Sequence, residues 1–180
     1  MKRMDAKDVI RLTGSRDPFR AAARLEIPVH HLYHERSGLP GLCCIVKGRP
    51  SVFINDAFFA GNFDEDGGNA EDDMRQIAAH ELGHCLLHKR EMELAPIAER
   101  SVFDGRSRME REANAFAAEL LIDGEELREM LLGGASLMQA SAYFRVSTDL
   151  LIVAAERLCP GCRLPYIPQS SFMRRVGRQG

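Results

Sequence analysis

Residues 78–88 read AAHELGHCLLH, and the remaining chain can be understood outward from this stretch. His80 and His84 are four positions apart, so on a helix both imidazoles project from one face and can reach one metal ion. Glu81 lies close enough to that face to act as a general base on a metal-activated water without ligating the ion. The stretch therefore predicts two ligands and the base of a catalytic zinc site.

The helix that carries this stretch is predicted to be buried at the centre of the fold. Its apolar positions cover much of the helix circumference and are Ile77, Ala78, Ala79, Leu82, Cys85, Leu86 and Leu87. Two buried histidines without a polar partner would be costly, and a metal supplies that partner, so metal binding is favoured over core histidines. Gly83 costs about 1 kcal/mol relative to alanine inside a helix, which indicates that another element approaches closely there.

His88 extends the histidine series but cannot join the same ion. On a straight helix its Cα lies roughly 12 Å along the axis from that of His80. We therefore interpret His88 as a residue of the helix C-terminus or as one that supports a ligand.

A catalytic zinc commonly has three protein ligands, and the third is sought in a later predicted helix that contains EREANAFAAEL. Glu110, Glu112 and Glu119 are the candidates. Glu110 also completes a capping box with Ser107, and it lies nearer the centre of the apolar stripe than Glu112 does. Glu119 is either an acceptor for a ligand imidazole or a solvated acid. Periodicity alone leaves the choice open.

Composition places the chain among globular proteins. It has 180 residues, 45% of them hydrophobic and 28% charged, which suits one domain with its own core. The start MKRMDAKDVIRLTG lacks the apolar segment of a secretory signal, and no apolar run reaches membrane-spanning length. Together with five cysteines, an odd number, this predicts a cytoplasmic protein with reduced thiols. A net charge of −2 gives no general attraction to nucleic acid.

The order of elements predicts an α+β fold. Two short helices are followed by the strand-like runs VHHLY, LCCIVK and SVFIN, and helices occupy the chain from about residue 70 onward. We expect a small antiparallel or mixed sheet of about three strands packed on the active-site helix, with a helical C-terminal half. The single domain is expected over 1–158, with N-terminal helices in 1–40, the sheet in 41–60, active-site helices in 70–122 and a helix-turn-helix-like segment in 123–158. The acid-rich run at 64–73 is interpreted as a solvated loop, and 159–180 as a basic, proline-containing tail.

Two sets of residues together resemble a known family. HELGHCLLH followed by EREANAFAAELLI, with VFIN upstream and Phe-x-Val-Ser downstream, is similar to the ImmA/IrrE metallopeptidases from about residue 41 to 158. The resemblance implies a gluzincin-like site with His80 and His84 as ligands, Glu81 as catalytic base, and the glutamate directly before Ala-Asn, Glu112, as third ligand. The family usually follows LLM with proline, whereas this chain has LLIDG, a difference in the helix end.

The resemblance also implies a function. Zinc, with manganese as the alternative, would serve an endopeptidase that cleaves a regulatory protein, a helix-turn-helix repressor of the XRE type. The competing hypothesis is a non-catalytic, metal-stabilised regulatory or antitoxin-like binding module, and the intact Glu81 favours the enzyme. A substrate strand could pair with Ser51–Asn55, unless that strand packs in the core. The candidate donors to an oxyanion are Tyr33, His88, Tyr143 and Tyr166.

The C-terminal region suggests contacts with protein rather than with DNA. A recognition helix needs basic or amide side chains facing the groove, and TDLLIVAAERL has one arginine beside two acids. We therefore expect packing or partner docking, and no direct nucleic-acid or membrane binding. Cys159 and Cys162 form one CxxC pair, which is interpreted as plain thiols in preference to a second zinc site or a redox pair.

Overall fold

A computed structural model of the chain describes residues 3–60, 69–98 and 107–162. Its elements are α1 (Ala6–Thr13), α2 (Pro18–Arg24), β1 (Val29–Leu32), β2 (Gly41–Val46), β3 (Arg49–Asn55), α3 (Asp56–Ala60), α4 (Ala70–Leu87), α5 (Lys89–Leu94), α6 (Arg108–Leu121), α7 (Gly124–Leu132), α8 (Leu137–Phe144) and α9 (Thr148–Leu158). The predicted α+β class, with a small mixed sheet and a helical C-terminal half, is confirmed. The first half of the predicted acid-rich loop, residues 64–68, and the tail from 163 onward, with Tyr166, lie outside the described residues.

The sheet is mixed because its two pairings differ in direction. Its strand order is β1-β3-β2, with β2 antiparallel and β1 parallel to β3. The β2–β3 hairpin turns at Lys47 and Gly48, which both have positive φ, of 49° and 80°. Two such residues give the tight turn whose twist matches the strands.

β3 is the central strand, and this corrects one expectation. β1 and β2 pair with β3 on its two sides, so the backbone groups of Ser51–Asn55 are used within the sheet. The prediction that a substrate pairs with this strand is wrong. The alternative, core packing, is what the structure shows, because Val52 and Ile54 are 0% exposed.

α4 is the buried central helix that the sequence predicts. It packs against β2 and β3, against α6 and against α2. Every residue from Gln76 to Leu86 is buried, so the helix is enclosed around its whole circumference. The side chains of the histidine stretch are consequently positioned by packing on several sides.

Two glycines permit close contacts between α4 and its neighbours. A Cβ on Gly83 would stand 3.0 Å from Phe116 Cδ1 of α6, which confirms the close approach expected at this residue. A Cβ on Gly41 at the start of β2 would stand 2.8 Å from Ile77 Cγ2 and 3.2 Å from Glu81 Cγ. The sheet and α6 therefore both contact α4 closely at the turns that carry the histidine stretch.

The C-terminal helices complete the core, with α9 packed on α6, α7 and α8. The turn between α8 and α9 is anchored on α4, where the Ser147 backbone N–H donates to Gln76 Oε1 at 2.8 Å. Arg75 adds a bond from Nη2 to the Phe144 carbonyl at 2.6 Å. Of the helices described, none is both long enough and apolar enough to cross a bilayer.

Candidate metal centre

Three buried side chains converge between α4 and α6. The Nε2 atoms of His80 and His84 are 3.1 Å apart. Glu110 Oε2 lies 3.1 Å from His80 Nε2, and Glu110 Oε1 lies 3.0 Å from His84 Nε2. All three side chains are 1% exposed. Two imidazoles and one carboxylate thus point at a common position shielded from solvent.

The arrangement fits a tetrahedral divalent ion. One ligand atom from each residue lies within 4.8 Å of the other two. Ligand atoms held 2.0–2.1 Å from a tetrahedral zinc ion are about 3.3 Å apart, close to the separations found here. Two histidines and one glutamate are also a ligand set of catalytic zinc sites. Within 3–60, 69–98 and 107–162, this is the only such cluster of His, Cys, Asp or Glu.

The helices bring the three candidate ligands together for local reasons. His80 and His84 are one turn apart on α4, and Glu110 lies in the first turn of α6. Ser107 caps α6, since its Oγ accepts the Glu110 backbone N–H at 3.1 Å. The close approach at Gly83 then holds the first turn of α6 against the histidine face of α4.

Glu112, the third ligand that the resemblance implies, does not lie with His80 and His84 in this structure. Glu112 is two residues, about 200° of helix rotation, beyond Glu110, so its carboxylate leaves α6 on a different side. It bonds to His88 Nε2 at 3.1 Å, and to Arg108 and Arg3, instead of meeting the His80 and His84 pair. Glu110 occupies the place predicted for Glu112.

Glu110 is ionised in this setting. Burial raises the pKa of its carboxyl, but the adjacent imidazoles of His80 and His84 outweigh burial and lower that pKa to about 2. A carboxylate must be deprotonated to bind a metal, so Glu110 is ready as a ligand at neutral pH.

Glu81 lies between the two histidines in sequence and is 3% exposed. The first residue of β2, Gly41, packs directly on its side chain. A hydrogen bond with Cys85, burial and the charge of Glu81 raise the pKa of the neighbouring Cys43 thiol well above its usual range. Glu81 is therefore a buried acid on the same helix as His80 and His84, next to a thiol that stays protonated.

The remaining predicted residues fall elsewhere. Glu119 Oε1 accepts from Arg157 Nε at 2.9 Å and from Nη2 at 2.6 Å, so its role as an acceptor for a ligand imidazole is not what the structure shows. Tyr33 and Tyr143 are 66% and 61% exposed. His88 Nε2 faces Glu112, which occupies the nitrogen that an oxyanion donor would need.

Two comparisons with known proteins bear on this site. The model of the IrrE N-terminal-like domain family matches residues 67–156, half of the chain, and that range includes His80, Glu81, His84 and Glu110. The chain is also similar to Metallopeptidase ImmA of Bacillus subtilis (strain 168), with 38% identity over 72 residues. That match covers 39% of this chain and 41% of the relative. The chain belongs to the ImmA/IrrE family of metallopeptidases.

Proposed function

We propose that the protein is a zinc-dependent endopeptidase that cleaves a regulatory protein, namely a helix-turn-helix repressor. The observation that carries the proposal is the convergence of His80, His84 and Glu110 within 4.8 Å, on the helix that also bears Glu81. Membership of a metallopeptidase family supports the reaction type. The repressor substrate is supported by the family resemblance of the two helical motifs.

Each residue of the centre has a distinct task in this proposal. His80, His84 and Glu110 would hold the ion, which when bound polarises the scissile carbonyl and acidifies a water molecule. Glu81 removes the proton of that water and later delivers it to the leaving amine. Because Glu81 is buried, bulk water is kept away from its carboxylate, which limits loss of the transferred proton to solvent.

In this proposal the substrate peptide pairs with β2, since β3 already pairs with a strand on each side. β2 pairs with β3 on one side, and its other side carries a single bridge from Cys43 to Ile97 among the described residues. Gly41, at the first position of β2, lies against Glu81. A peptide paired with this end of β2 would bring its backbone next to the base.

The test of the activity uses the full chain loaded with zinc and the repressor encoded nearest its gene. We expect one cut that a chelator blocks. Glu81→Gln should retain zinc and the fold yet give no cut, because an amide cannot take the proton. A Glu81→Gln protein that cleaves at the normal rate would refute the peptidase mechanism.

The same experiment separates the enzyme from the binding module. If the protein binds the repressor tightly and both the native chain and Glu81→Gln leave it intact, the non-catalytic module becomes the better description. The single cut, lost in Glu81→Gln, is the result that the enzyme predicts.

The ligand assignment has its own test in zinc binding. Glu110→Ala should abolish stoichiometric zinc binding, because it removes one of three protein ligands. Glu119→Ala is the matched control, a carboxylate on the same helix whose partner is Arg157. Zinc affinity equal to that of the native chain in Glu110→Ala would show that Glu110 is not a ligand.

A further inference from the structure

The ligand His84 is connected through its second ring nitrogen to a chain of polar groups. Its Nε2 faces His80 and Glu110, so Nε2 is the nitrogen on the metal side. Its Nδ1 is 3.0 Å from His88 Nδ1. His88 follows one turn later, since its backbone N–H donates to the His84 carbonyl at 2.8 Å, and it is 3% exposed. The contact between the two rings is therefore fixed by helix geometry.

The positions of the protons on His84 and His88 follow from which ring nitrogens can donate and which can accept. Two ring nitrogens 3.0 Å apart share one proton, because two lone pairs repel each other and two N–H groups clash. A metal on His84 Nε2 places the His84 proton on Nδ1, which donates to His88. His88 Nδ1 is then an acceptor, and its own proton sits on Nε2, 3.1 Å from Glu112 Oε2. Only one direction of donation satisfies all three residues.

Two arginines hold Glu112, the last residue of this series of hydrogen bonds. Glu112 Oε1 accepts from Arg108 Nε at 2.8 Å, and Glu112 Oε2 accepts from Arg3 Nη2 at 2.6 Å. These guanidiniums keep the carboxylate in place as a charged acceptor. The series of hydrogen bonds thus runs from the buried centre, through His88 and Glu112, to an arginine-lined surface cavity of about 630 Å³ that Glu112 lines.

We propose that His88 and Glu112 are positioning residues that fix the tautomer and orientation of the ligand His84. This inference rests on the proposed metal centre and assigns a role to two residues outside it. Ligand histidines generally donate their second N–H to a carboxylate or carbonyl, which sets the tautomer and raises the basicity of the ligating nitrogen. Here a second imidazole is inserted between the ligand and the carboxylate, so Glu112 acts on His84 through His88.

A purely structural role for His88 makes a different prediction. If His88 only filled space at the end of α4, phenylalanine of similar shape would serve, and the metal site would not respond. If it accepts the His84 proton, phenylalanine fails and glutamine, whose side-chain oxygen can accept, partly restores the site. Glu112→Gln changes one group of a partly exposed side chain and keeps an acceptor, so we expect this variant to fold as the native chain does.

The experiment measures zinc affinity of the full chain by competition with a coloured chelator. His88→Phe and Glu112→Ala should each weaken zinc binding roughly 10- to 100-fold, the usual loss for such supporting partners. His88→Gln and Glu112→Gln should lose less. Glu119→Gln is the matched control, because Glu119 lines the same cavity and pairs with an arginine without touching this chain, and its affinity should equal that of the native protein.

A second readout is the ring ¹⁵N spectrum of the zinc-loaded native chain, which reports tautomers without any variant. We expect His84 protonated on Nδ1 and His88 protonated on Nε2. The opposite tautomer of His88, or native zinc affinity in both His88→Phe and Glu112→Ala, would overturn the proposal. Neither readout uses peptide cleavage, so a protein that cuts no repressor can still confirm it. A native chain that binds no zinc overturns this proposal together with the metal centre.

Discussion

Replacing Gly83 with alanine tests how the contact between α4 and α6 builds the metal centre. The new Cβ would stand 3.0 Å from Phe116 Cδ1 and 3.2 Å from Phe116 Cβ and Cγ. Carbon atoms pack best at roughly 3.5–4.0 Å, so the added methyl is about half an ångström too close. Phe116 is 3% exposed, so we expect the two helices to separate slightly to accommodate the methyl.

The expected magnitude is the difference of two effects on the free energy of unfolding. Alanine favours the helix over glycine by about 1 kcal/mol. Overpacking of a buried contact costs about 1–3 kcal/mol. We therefore expect Gly83→Ala to destabilise the metal-free protein by about 0–2 kcal/mol, and to weaken zinc binding because Glu110 is carried on the displaced α6.

The assay combines urea unfolding of the metal-free chain with zinc competition. It uses Gly83→Ala, Phe116→Leu and the double variant, in which the smaller leucine leaves space for the methyl. The double variant should recover stability and zinc affinity relative to Gly83→Ala. A Gly83→Ala protein more stable than the native chain by the full propensity gain, with unchanged zinc affinity, would refute the close contact.

Two further predictions concern residues away from the centre. Asn55→Ala should lower the free energy of unfolding by about 2–4 kcal/mol, because the buried Asn55 amide bonds to the His34 N–H and to the His34 and Leu39 carbonyls. Urea titration would measure this loss, and a loss below about 1 kcal/mol would contradict the prediction. Burial raises the pKa of the Asp123 carboxyl, but backbone N–H bonds and Arg16 lower it below the ordinary 3.8. Its stabilisation is thus present above pH 3.8 and lost as the pH falls further. Asp123→Asn should remove this acid-dependent part, so thermal unfolding curves of both proteins should converge below that pH; a constant offset between them would contradict the assignment.

Much of the fold could be predicted because its signals are local. Asp5 and Ser107 cap helices through side-chain bonds to backbone N–H groups within three residues. The β2–β3 hairpin follows from the breaker residues between two strand-like runs. The parallel pairing of β1 with β3 could not be predicted in the same way, because it joins residues more than twenty positions apart and depends on how the sheet packs on α4.

The candidate site also has one part that local sequence predicts and one part that depends on contacts between distant residues. By itself the sequence determined the helix that carries His80, Glu81 and His84, because their spacing follows from the helical repeat alone. The choice between Glu110 and Glu112 depends on how α6 is rotated against α4, and only the tertiary structure decides that rotation. The apolar stripe left that choice open, and the family resemblance implied Glu112. Packing of Phe116 on Gly83 turns Glu110 toward the histidines, and Glu112 then bonds to His88. No local sequence pattern encodes this contact between Glu112 and His88.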